Sequence, residues 1–352
     1  MKVALLTIWH VKNYGAELQT YATVKALRQM GCQVEVIDYR LSDERKKSFL
    51  GKIAYIVELV SPLYYKFNQF WKKYIPSSFY YKTSEDLYRN PPKADVYMVG
   101  SDQVWNPDIT KSRYNSYFLN FGPDSVKRVS YASSFGVGEW QHTDIFDDVK
   151  SLLMRFDYIT CREDLGVELL NNQFNLKAKS VVDPTLLFDS YPEFAMRSSN
   201  GKSLVFYPLS DDPELESLSQ KVAAILGLKV INNNNVRKIL GRIAWNRSSI
   251  EEWVKNIAES QFVITRSFHG LVFSLLYNKQ FALLKIRNGR NSRVDNLLKK
   301  VGLENRVYET PEALLNDRPW NKSINYKYVN SRMMELREES WGTLKSMLDY
   351  ER

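Results

Sequence analysis

The chain has 352 residues, of which 44% are hydrophobic and 25% are charged, and this length suffices for two ordinary domains. The composition excludes an intrinsically disordered protein, because disordered chains lack the apolar residues that form a core. Two cysteines, Cys32 and Cys161, are too few for a disulfide framework or a four-cysteine metal site, so they indicate a reducing compartment. The net charge of +9 directs attention to anionic partners.

The apolar runs of the chain are short. The first of them, at 3–8, is shorter than the apolar region of a signal peptide. No run reaches the roughly 18 apolar residues that are needed to span a bilayer. We therefore expect a cytoplasmic protein.

Strand-like runs alternate with helix-like patterns up to about residue 190. The predicted strands of this part cover 3–8, 34–37, 94–99, 129–132 and 158–161. The helix after the first strand covers 16–30 and ends at Gly31, because glycine readily takes the left-handed conformation that terminates helices. This alternation predicts a parallel sheet with right-handed crossovers.

A second series of the same kind follows a flexible linker at 198–201. Its predicted strands and helices cover 203–207, 213–226, 228–231, 249–260, 262–264, 281–284 and 329–350, with capping-box spacing from Ser248 to Glu251. We predict an α/β fold of two doubly wound Rossmann-like domains that face each other across a cleft. The first domain covers 1–195 and the second covers 196–325. A helix at 326–352 returns toward the first domain.

A basic and aromatic insertion covers residues 40–82 of the first domain. It contains nine basic and three acidic residues, with aromatic residues interleaved among them. Three interpretations remain open for this segment. It could form helices that pack over the first domain with solvated lysines, contact an anionic membrane surface, or bind single-stranded nucleic acid.

Polar clusters directly follow several predicted strands, where doubly wound sheets bind their ligands. The loop 10–15 offers backbone N–H groups and a glycine. In the loop 100–107, a carboxylate, an amide and an indole suit sugar hydroxyls and a stacked ring, but they equally suit a helix cap over a packed tryptophan. Arg162 lies at a helix start, which is unfavourable against the helix dipole unless an anion is bound there.

The most informative cluster covers 264–270, where an apolar strand leads through a polar turn into a helix. Helix starts at this position bind anions. His269 can carry a proton near neutral pH, and Arg266 can hold a phosphate or carboxylate with two hydrogen bonds. The alternative is that His269 caps the helix and Arg266 faces solvent.

Several other chemistries find no support in the sequence. The three histidines, His10, His142 and His269, are scattered and lack the carboxylate spacing of a zinc site. No phosphate-loop, dinucleotide-binding or nucleophile-elbow motif occurs. The handling of a small anionic donor without a metal or cofactor is what remains.

Taken together, ordered motifs over most of the chain resemble those of the polysaccharide pyruvyl transferase family. The motifs lie at 13–19, 21–22, 100–106, 130–136, 161–164, 182–187, 267–270 and 273–274. Members often carry an arginine at the place of Ser267, whereas this chain has Arg266 one residue earlier.

The resemblance implies a GT-B-like fold and the transfer of the enolpyruvyl unit of phosphoenolpyruvate to a sugar, which leaves a cyclic pyruvate ketal. The expected partners are phosphoenolpyruvate as co-substrate and a sugar of a lipid-linked oligosaccharide, a precursor of a bacterial surface polysaccharide such as a capsule or exopolysaccharide. We also expect a peripheral contact with the anionic inner face of the plasma membrane. Nucleic acid, cofactors and metals are not expected.

The predicted site draws on both domains. His269 is predicted as the general acid/base and Asp102 as a second catalytic group. The residues predicted to bind phosphoenolpyruvate are Arg162, Arg266, Ser267, Phe268 and Gly270. The residues predicted to bind the acceptor are Asn13, Tyr14, Gly15, Gln19, Ser101, Gln103, Trp105 and Asn106.

Two other functions remain open. A nucleotide-sugar-dependent GT-B glycosyltransferase would need a nucleotide pocket near 232–235 and Arg237, where no carboxylate is placed to hold a ribose. A non-catalytic protein could instead dock on membrane-bound machinery through the 40–82 insertion.

Overall fold

The computed structural model describes residues 1–41, 48–198, 201–241, 243–286 and 291–349. The described chain divides into two units. The first comprises Met1–Ser42, Trp71–Phe188 and Met334–Arg352, and the second comprises Asp43–Phe70 and Asp189–Met333. Among the predicted features, part of the linker (199–200), the first charged residues of the insertion (42–47) and the end of the last helix (350) lie outside the described residues.

A five-stranded parallel sheet organises the first unit. The strands of this unit are β1 (Lys2–Leu6), β2 (Gln33–Asp38), β3 (Ser77–Tyr80), β4 (Val96–Val99), β5 (Lys127–Ser130), β6 (Thr160–Cys161) and β7 (Lys179–Ser180). The first five form a sheet in the order β3-β2-β1-β4-β5, and β6 pairs with β7 in a small separate sheet. The central strands β1 and β4 are almost wholly buried, which explains why they read as continuous apolar runs.

The second unit repeats this arrangement with a different strand order. Its strands are β8 (Ser203–Tyr207), β9 (Lys229–Asn232), β10 (Arg237–Ile239), β11 (Ile243–Asn246), β12 (Phe262–Thr265), β13 (Gln280–Leu284) and β14 (Val307–Tyr308). The main sheet is parallel in the order β14-β13-β12-β8-β9, and β10 and β11 form an antiparallel pair.

Helices lie between and after the strands in both units. They are α1 (Tyr14–Gln29), α2 (Phe49–Leu59), α3 (Pro62–Tyr74), α4 (Ser84–Arg89), α5 (Pro107–Thr110), α6 (Tyr114–Tyr117), α7 (Phe146–Leu153), α8 (Asp164–Leu169), α9 (Pro213–Leu226), α10 (Ile250–Ala258), α11 (Phe268–Leu276), α12 (Ser292–Val301), α13 (Pro311–Asp317) and α14 (Tyr326–Leu348). No helix in the described ranges is both long and apolar enough to cross a bilayer.

Local sequence signals explain where these helices begin and end. Asn13 caps α1 by accepting hydrogen bonds from two backbone N–H groups. Ser249 and Glu252 form the capping box of α10, one residue beyond the predicted pair. Helix α9 ends at Gly227, whose φ of 65° is the left-handed conformation that glycine allows. Its buried face, which includes Leu215, Leu218 and Val222, has the spacing of an amphipathic helix.

The unit boundaries differ from the predicted domains in two places. The main division falls between Phe188 and Asp189, seven residues before the expected one. The insertion is split, because its residues 48–70 belong to the second unit, whereas 40–41 and 71–82 belong to the first. The C-terminal part of α14, from Met334, is grouped with the first unit.

The strand order fixes the positions where ligands are expected. In a doubly wound sheet, ligands bind outside the carboxyl ends of the strands where the direction of strand addition reverses. This reversal lies between β1 and β4 in the first unit and between β8 and β12 in the second. The loops that follow β1, β4 and β12 are therefore the segments to inspect for a functional site.

Candidate functional site

A single buried glutamate holds the loop that follows β1. Glu17 accepts hydrogen bonds from the backbone N–H groups of His10 (3.4 Å) and Val11 (3.1 Å) and from Nε1 of Trp71 (2.8 Å). The indole of Trp71 stacks on the His10 ring, with 3.6 Å between the ring centroids. His10 and Lys12 adopt φ angles of 61° and 55°, a conformation that costs energy for residues with side chains. The loop is thus held in one strained shape.

The same glutamate has an unusual proton affinity. Burial raises the pKa of Glu17 to about 7, and the hydrogen bonds from Trp71 and the loop backbone only partly oppose this effect. The carboxyl group therefore changes its charge near neutral pH. Neither Glu17 nor the stacked His10 was among the predicted site residues.

Hydrogen bonds join the loops that follow β1 and β4. The hydroxyl of Thr7 donates to the backbone oxygen of Ser101 (2.9 Å) and accepts from Nε2 of Gln19 (2.9 Å). A Cβ atom added to Gly100 would lie 3.0 Å from Cβ of Thr7, which is tighter than an ordinary contact, so glycine favours this close approach. Ser101 and Gln19 are fully buried. They hold the two loops together and do not present side chains to solvent, where an acceptor was predicted.

A buried arginine links three carboxylates at this edge of the sheet. Nη1 of Arg162 lies 2.9 Å from Oδ2 of Asp183, Nη2 lies 3.6 Å from Oδ1 of Asp102, and Nε lies 3.8 Å from Oε2 of Glu163. Burial alone would lower the pKa of Arg162, but the carboxylates, Asp183 foremost, raise it, so the guanidinium stays charged. Its side chain is 1% exposed.

This network changes the prediction for Arg162. One cation among three anions gives the cluster a negative formal charge, which would repel a dianionic donor. The charge of Arg162 is already compensated within the protein, so its observed partners argue against a donor contact. Asp102 is the accessible member of the cluster, with 22% of its side chain exposed and a φ of 78°.

The other predicted residues of the 100–107 loop serve the fold. The Trp105 ring is fully buried and stacks on Phe118, with 5.7 Å between centroids, and its indole N–H donates to the backbone oxygen of Tyr117. The expected stacking on a sugar is therefore not available to this side chain. Asn106 caps α5 and donates to Oε1 of Gln103 (3.0 Å).

The loop that starts α1 contains the remaining predicted acceptor residues. Asn13 is exposed, whereas Tyr14 and Gly15 are buried at the start of the helix. Of these three residues, only Asn13 lies where a ligand could reach its side chain.

The turn after β12 is built as a helix start at the reversal point of the second sheet. The hydroxyl of Thr265 donates to the backbone oxygen of Tyr207 on β8 and accepts from the backbone N–H of Ser267, both at 3.0 Å. The Ser267 side chain in turn caps α11 by accepting from the N–H of Gly270 (3.4 Å). A Cβ atom on Gly270 would lie 2.4 Å from Oγ1 of Thr265, so the helix start needs glycine there.

His269 and Phe268 lie in the first turn of α11. Both side chains are about nine-tenths buried, and their rings meet edge to face with 5.3 Å between centroids. The guanidinium of Arg293, at the start of α12, lies 5.8 Å from the centre of the Phe268 ring. A helix N-terminus, an imidazole and a cation therefore occur together in the second unit.

Arg266 is engaged in a different contact from the predicted one. Its guanidinium pairs with Asp212 (2.7 Å) and Glu214 and donates to the backbone oxygen of Lys285 (2.6 Å). These bonds tie the end of β12 to the start of α9 and to the loop after β13. Two acidic partners already compensate the charge of Arg266, which argues against its predicted role in donor binding.

Comparisons with known proteins agree with this architecture. The sequence model of the family described as polysaccharide pyruvyl transferase matches residues 13–287. No curated protein matches the chain in sequence. The chain is similar in structure to a UDP-GlcNAc 2-epimerase from Neisseria meningitidis bound to UDP-GlcNAc, with a TM-score of 0.54 and 10% identity over 99% of both chains.

A second solved structure is similar to the same degree. It is S. aureus MnaA in a co-structure with UDP, with a TM-score of 0.53 and 11% identity over 99% of this chain and 96% of the other. At such low identity these likenesses establish the fold, which is that of two Rossmann-like units as in GT-B proteins. They leave the reaction to be argued from the family and the residues.

The Arg162 network predicts a large loss of stability when its cation is removed. In Arg162→Met, three acidic groups remain around an uncharged side chain, and we expect the free energy of unfolding to fall by about 3–5 kcal/mol. Arg155→Met is the matched control, because Arg155 pairs with the exposed Asp124 and its loss should cost about 1 kcal/mol or less. Urea denaturation followed by circular dichroism measures both, and equal losses would contradict the assigned role.

Glu17 predicts a specific dependence of stability on pH. Because its pKa is raised from 4.5 to about 7, the native state retains a proton that the unfolded chain has released between these values. This contribution to stability is full below about pH 4.5 and is lost as the pH rises through about 7, and it amounts to about 3 kcal/mol. Glu17→Gln lacks this titration, so its stability relative to the parent should rise over the same range. Urea denaturation of both proteins at pH 5, 6, 7 and 8 measures this difference. A difference in the free energy of unfolding that stays constant over these pH values would refute the raised pKa of Glu17.

Proposed function

The chain belongs to the polysaccharide pyruvyl transferase family, and we propose that it transfers the enolpyruvyl unit of phosphoenolpyruvate to two hydroxyls of a lipid-linked sugar. The family makes the chain an enzyme of polysaccharide pyruvylation. The phosphoenolpyruvate donor, the lipid linkage and the residue roles below are our proposals. The observation that carries them is the turn after β12, where a capped helix start and His269 lie at the reversal point of a doubly wound sheet.

The donor is placed at the start of α11. Phosphoenolpyruvate carries a phosphate and a carboxylate, and the free N–H groups and positive dipole of a helix N-terminus favour such anions. Ser267 and Gly270 shape this turn, and Phe268 gives it an apolar wall. Arg293, whose guanidinium lies 5.8 Å from the centre of the Phe268 ring, is the cation that we assign to the donor. It replaces Arg162 and Arg266, whose charges are compensated elsewhere.

The chemistry requires an acid beside the donor. A proton delivered to the methylene carbon turns it into a methyl group and makes the central carbon electrophilic. One sugar hydroxyl attacks that carbon, the C–O bond to phosphate breaks, and a second hydroxyl closes the ketal ring. The two sugar hydroxyls release two protons. One replaces the proton that was delivered to the methylene carbon, and the other is taken up by the departing phosphate. His269 is the group that we assign to this proton transfer.

The acceptor is assigned to the edge of the first sheet. Its sugar hydroxyls need acceptors of hydrogen bonds, and Asp102 offers a partly exposed carboxylate held by Arg162. Asn13 and His10 flank the neighbouring loop. The negative charge of the Arg162 cluster suits deprotonation of a hydroxyl better than the binding of a dianion.

Contact with a lipid surface is supported by α2. The side chains of Phe49, Leu50, Ile53, Ile56 and Val60 are exposed along and just beyond this helix, and four of them recur at helical spacing. An exposed apolar stripe within a basic segment is typical of helices that lie in the interface of anionic membranes. Such a helix would bring the enzyme to a lipid-linked acceptor.

Activity tests the central assignment. Incubation of the purified protein with phosphoenolpyruvate and a panel of lipid-linked sugars should release phosphate and yield a pyruvate ketal identified by mass. His269→Ala should lower the rate by a factor of roughly 10²–10⁴, which is typical for loss of a general acid. His142→Ala is the control, because this histidine is partly exposed beside Asp108 and is assigned no role in the reaction.

Two outcomes would contradict this proposal. Equal rates for His269→Ala and the parent would remove the histidine from the chemistry. Transfer from a sugar nucleotide, without any transfer from phosphoenolpyruvate, would indicate a glycosyltransferase instead.

The α2 stripe predicts binding to anionic vesicles. In Ile53→Asp/Ile56→Asp, two carboxylates replace apolar groups on the exposed face, and vesicle affinity should fall roughly tenfold or more. The double variant Ile225→Asp/Met196→Asp introduces the same charge at two other exposed apolar positions and should bind like the parent. Flotation with phosphatidylserine vesicles at low salt measures the affinity. Absence of binding by the parent protein would overturn the assignment.

A further inference from the structure

A polar cavity of about 500 Å³ lies in the second unit, apart from the turn at α11. Its walls come from the end of β9, the β10–β11 pair, the start of α10 and Lys66 of α3. This volume is within the range of small-ligand sites. None of the roles assigned above uses the residues that line it.

Cations dominate the charge of this cavity. Lys66, Arg237 and Arg247 line it together with one acidic residue, Glu252. Lys66 donates to the backbone oxygen of Arg247 (3.0 Å) and lies 3.5 Å from Glu252, while the guanidinium of Arg247 lies 4.7 Å from the centre of the Phe67 ring. These contacts fix two of the cations in place, and the excess of positive charge favours an anionic ligand.

Arg237 is the most available of the three cations. It is exposed, and no carboxylate among the described residues lies within ion-pair distance of it. The strand pairing is irregular between Arg237 and Lys238, a feature that redirects side chains at binding sites. Lys238 instead pairs with Asp211 (2.9 Å) and does not line the cavity.

Amide groups, together with Ser248, supply the rest of the polar lining. Asn232, Asn235, Asn246 and Asn256 line the cavity. Oδ1 of Asn246 is buried and accepts no hydrogen bond from any described residue, and a buried oxygen of this kind calls for a donor from a ligand or water. Amides both donate and accept hydrogen bonds, which matches the hydroxyl groups of a sugar.

The lining also argues against a nucleotide. Val230 and Ile231 are the apolar members of the lining set, and no aromatic ring belongs to that set in the part of the chain that the structure describes. A nucleobase would therefore lack a stacking partner. Sugar hydroxyls and an anionic substituent, by contrast, would each find complementary groups.

The cavity lies at the same edge of the sheet as the α11 turn. Strand β8 separates β9 from β12, so the ends of β9 and β12 are two strand spacings apart, or about 10 Å. A saccharide bound beside β9 could therefore extend toward the turn after β12.

We propose that this cavity is a subsite for an anionic saccharide, a sugar residue that carries a carboxylate or phosphate group. Arg237 and Lys66 would bind the anionic group, and Asn246 and its neighbouring amides would bind the hydroxyls. The identification of this saccharide with part of the acceptor glycan rests on the proposed function, whereas binding itself does not.

Binding to the full-length protein tests the subsite directly. Isothermal titration calorimetry with digalacturonic acid, glucose 1-phosphate, neutral galactobiose and UDP compares the classes of ligand. We expect one or both anionic sugars to bind, and the one that binds identifies carboxylate or phosphate as the recognised group. Arg237→Ala and Asn246→Ala should each weaken that binding, Arg237→Ala by roughly tenfold or more, because it removes a charged hydrogen bond. Lys238→Ala is the matched control and should bind within about twofold of the parent.

The outcomes separate this subsite from the pyruvyl transfer reaction. Binding of UDP alone, binding of galactobiose as tight as that of the anionic sugar that binds, or unchanged binding in Arg237→Ala would overturn the subsite, whatever the enzyme's activity. In the transfer assay, Arg237→Ala should raise the KM for an anionic acceptor and leave the KM for phosphoenolpyruvate unchanged. If Arg237→Ala changed only the KM for phosphoenolpyruvate, that result would also overturn the proposed subsite.

Discussion

The ion pairs of the buried Arg162 guanidinium hold together the segments at the carboxyl edge of the first sheet. A buried charge is costly unless it is paired, and Arg162 draws its partners from the loop after β4 and from the segment after β7 as well as from its own neighbour. These segments must therefore adopt positions that surround one cation. Asp183 is also held by Thr185, so the network is rigid at its most buried point. Its surplus of acidic groups then sets the electrostatic character of this edge.

The two units carry groups of different charge, so we assign the two proposed substrates to different units. The edge of the first sheet combines the negatively charged Arg162 cluster with a strained loop held by Glu17, and we assign the acceptor to this edge. The second unit has a capped helix start beside His269, and the guanidinium of Arg293 lies near the Phe268 ring of this helix. Anionic groups are thus better matched to the second unit, in the α11 turn and in the cavity beside β9. The proposed reaction needs both kinds of group, because it joins an anionic donor to a neutral pair of hydroxyls.

The sequence predicts local features of this molecule well and long-range ones poorly. The apolar run 203–207 coincides with β8, and the polar turn before His269 begins a helix as expected, because both depend on neighbouring residues. The sequence leaves open whether Trp105 stacks on a sugar or packs in the core, since its partner Phe118 is thirteen positions away. Only the fold brings the two rings together. The β10–β11 pair lies in an asparagine-rich stretch with no alternation of apolar residues, which gave no strand signal.

The roles of the buried charged residues are even harder to predict from the sequence. The position of Arg162 at a helix start suggested a bound anion, and anions are indeed beside it, but they are side chains such as Asp183 from a later segment. The burial of Glu17 depends on Trp71, which is 54 positions away. One local signal was available, because Glu17 is the only acidic residue in a helix whose first turns are otherwise apolar or uncharged.

Hydrogen–deuterium exchange with and without phosphoenolpyruvate tests most directly whether the donor binds in the second unit. If the start of α11 binds the donor, exchange of backbone amides at 266–271 should become slower, and exchange at 160–165 around Arg162 should stay unchanged. Slower exchange at 160–165 with no change at 266–271 would place the donor on the first sheet and rule out its binding at the start of α11.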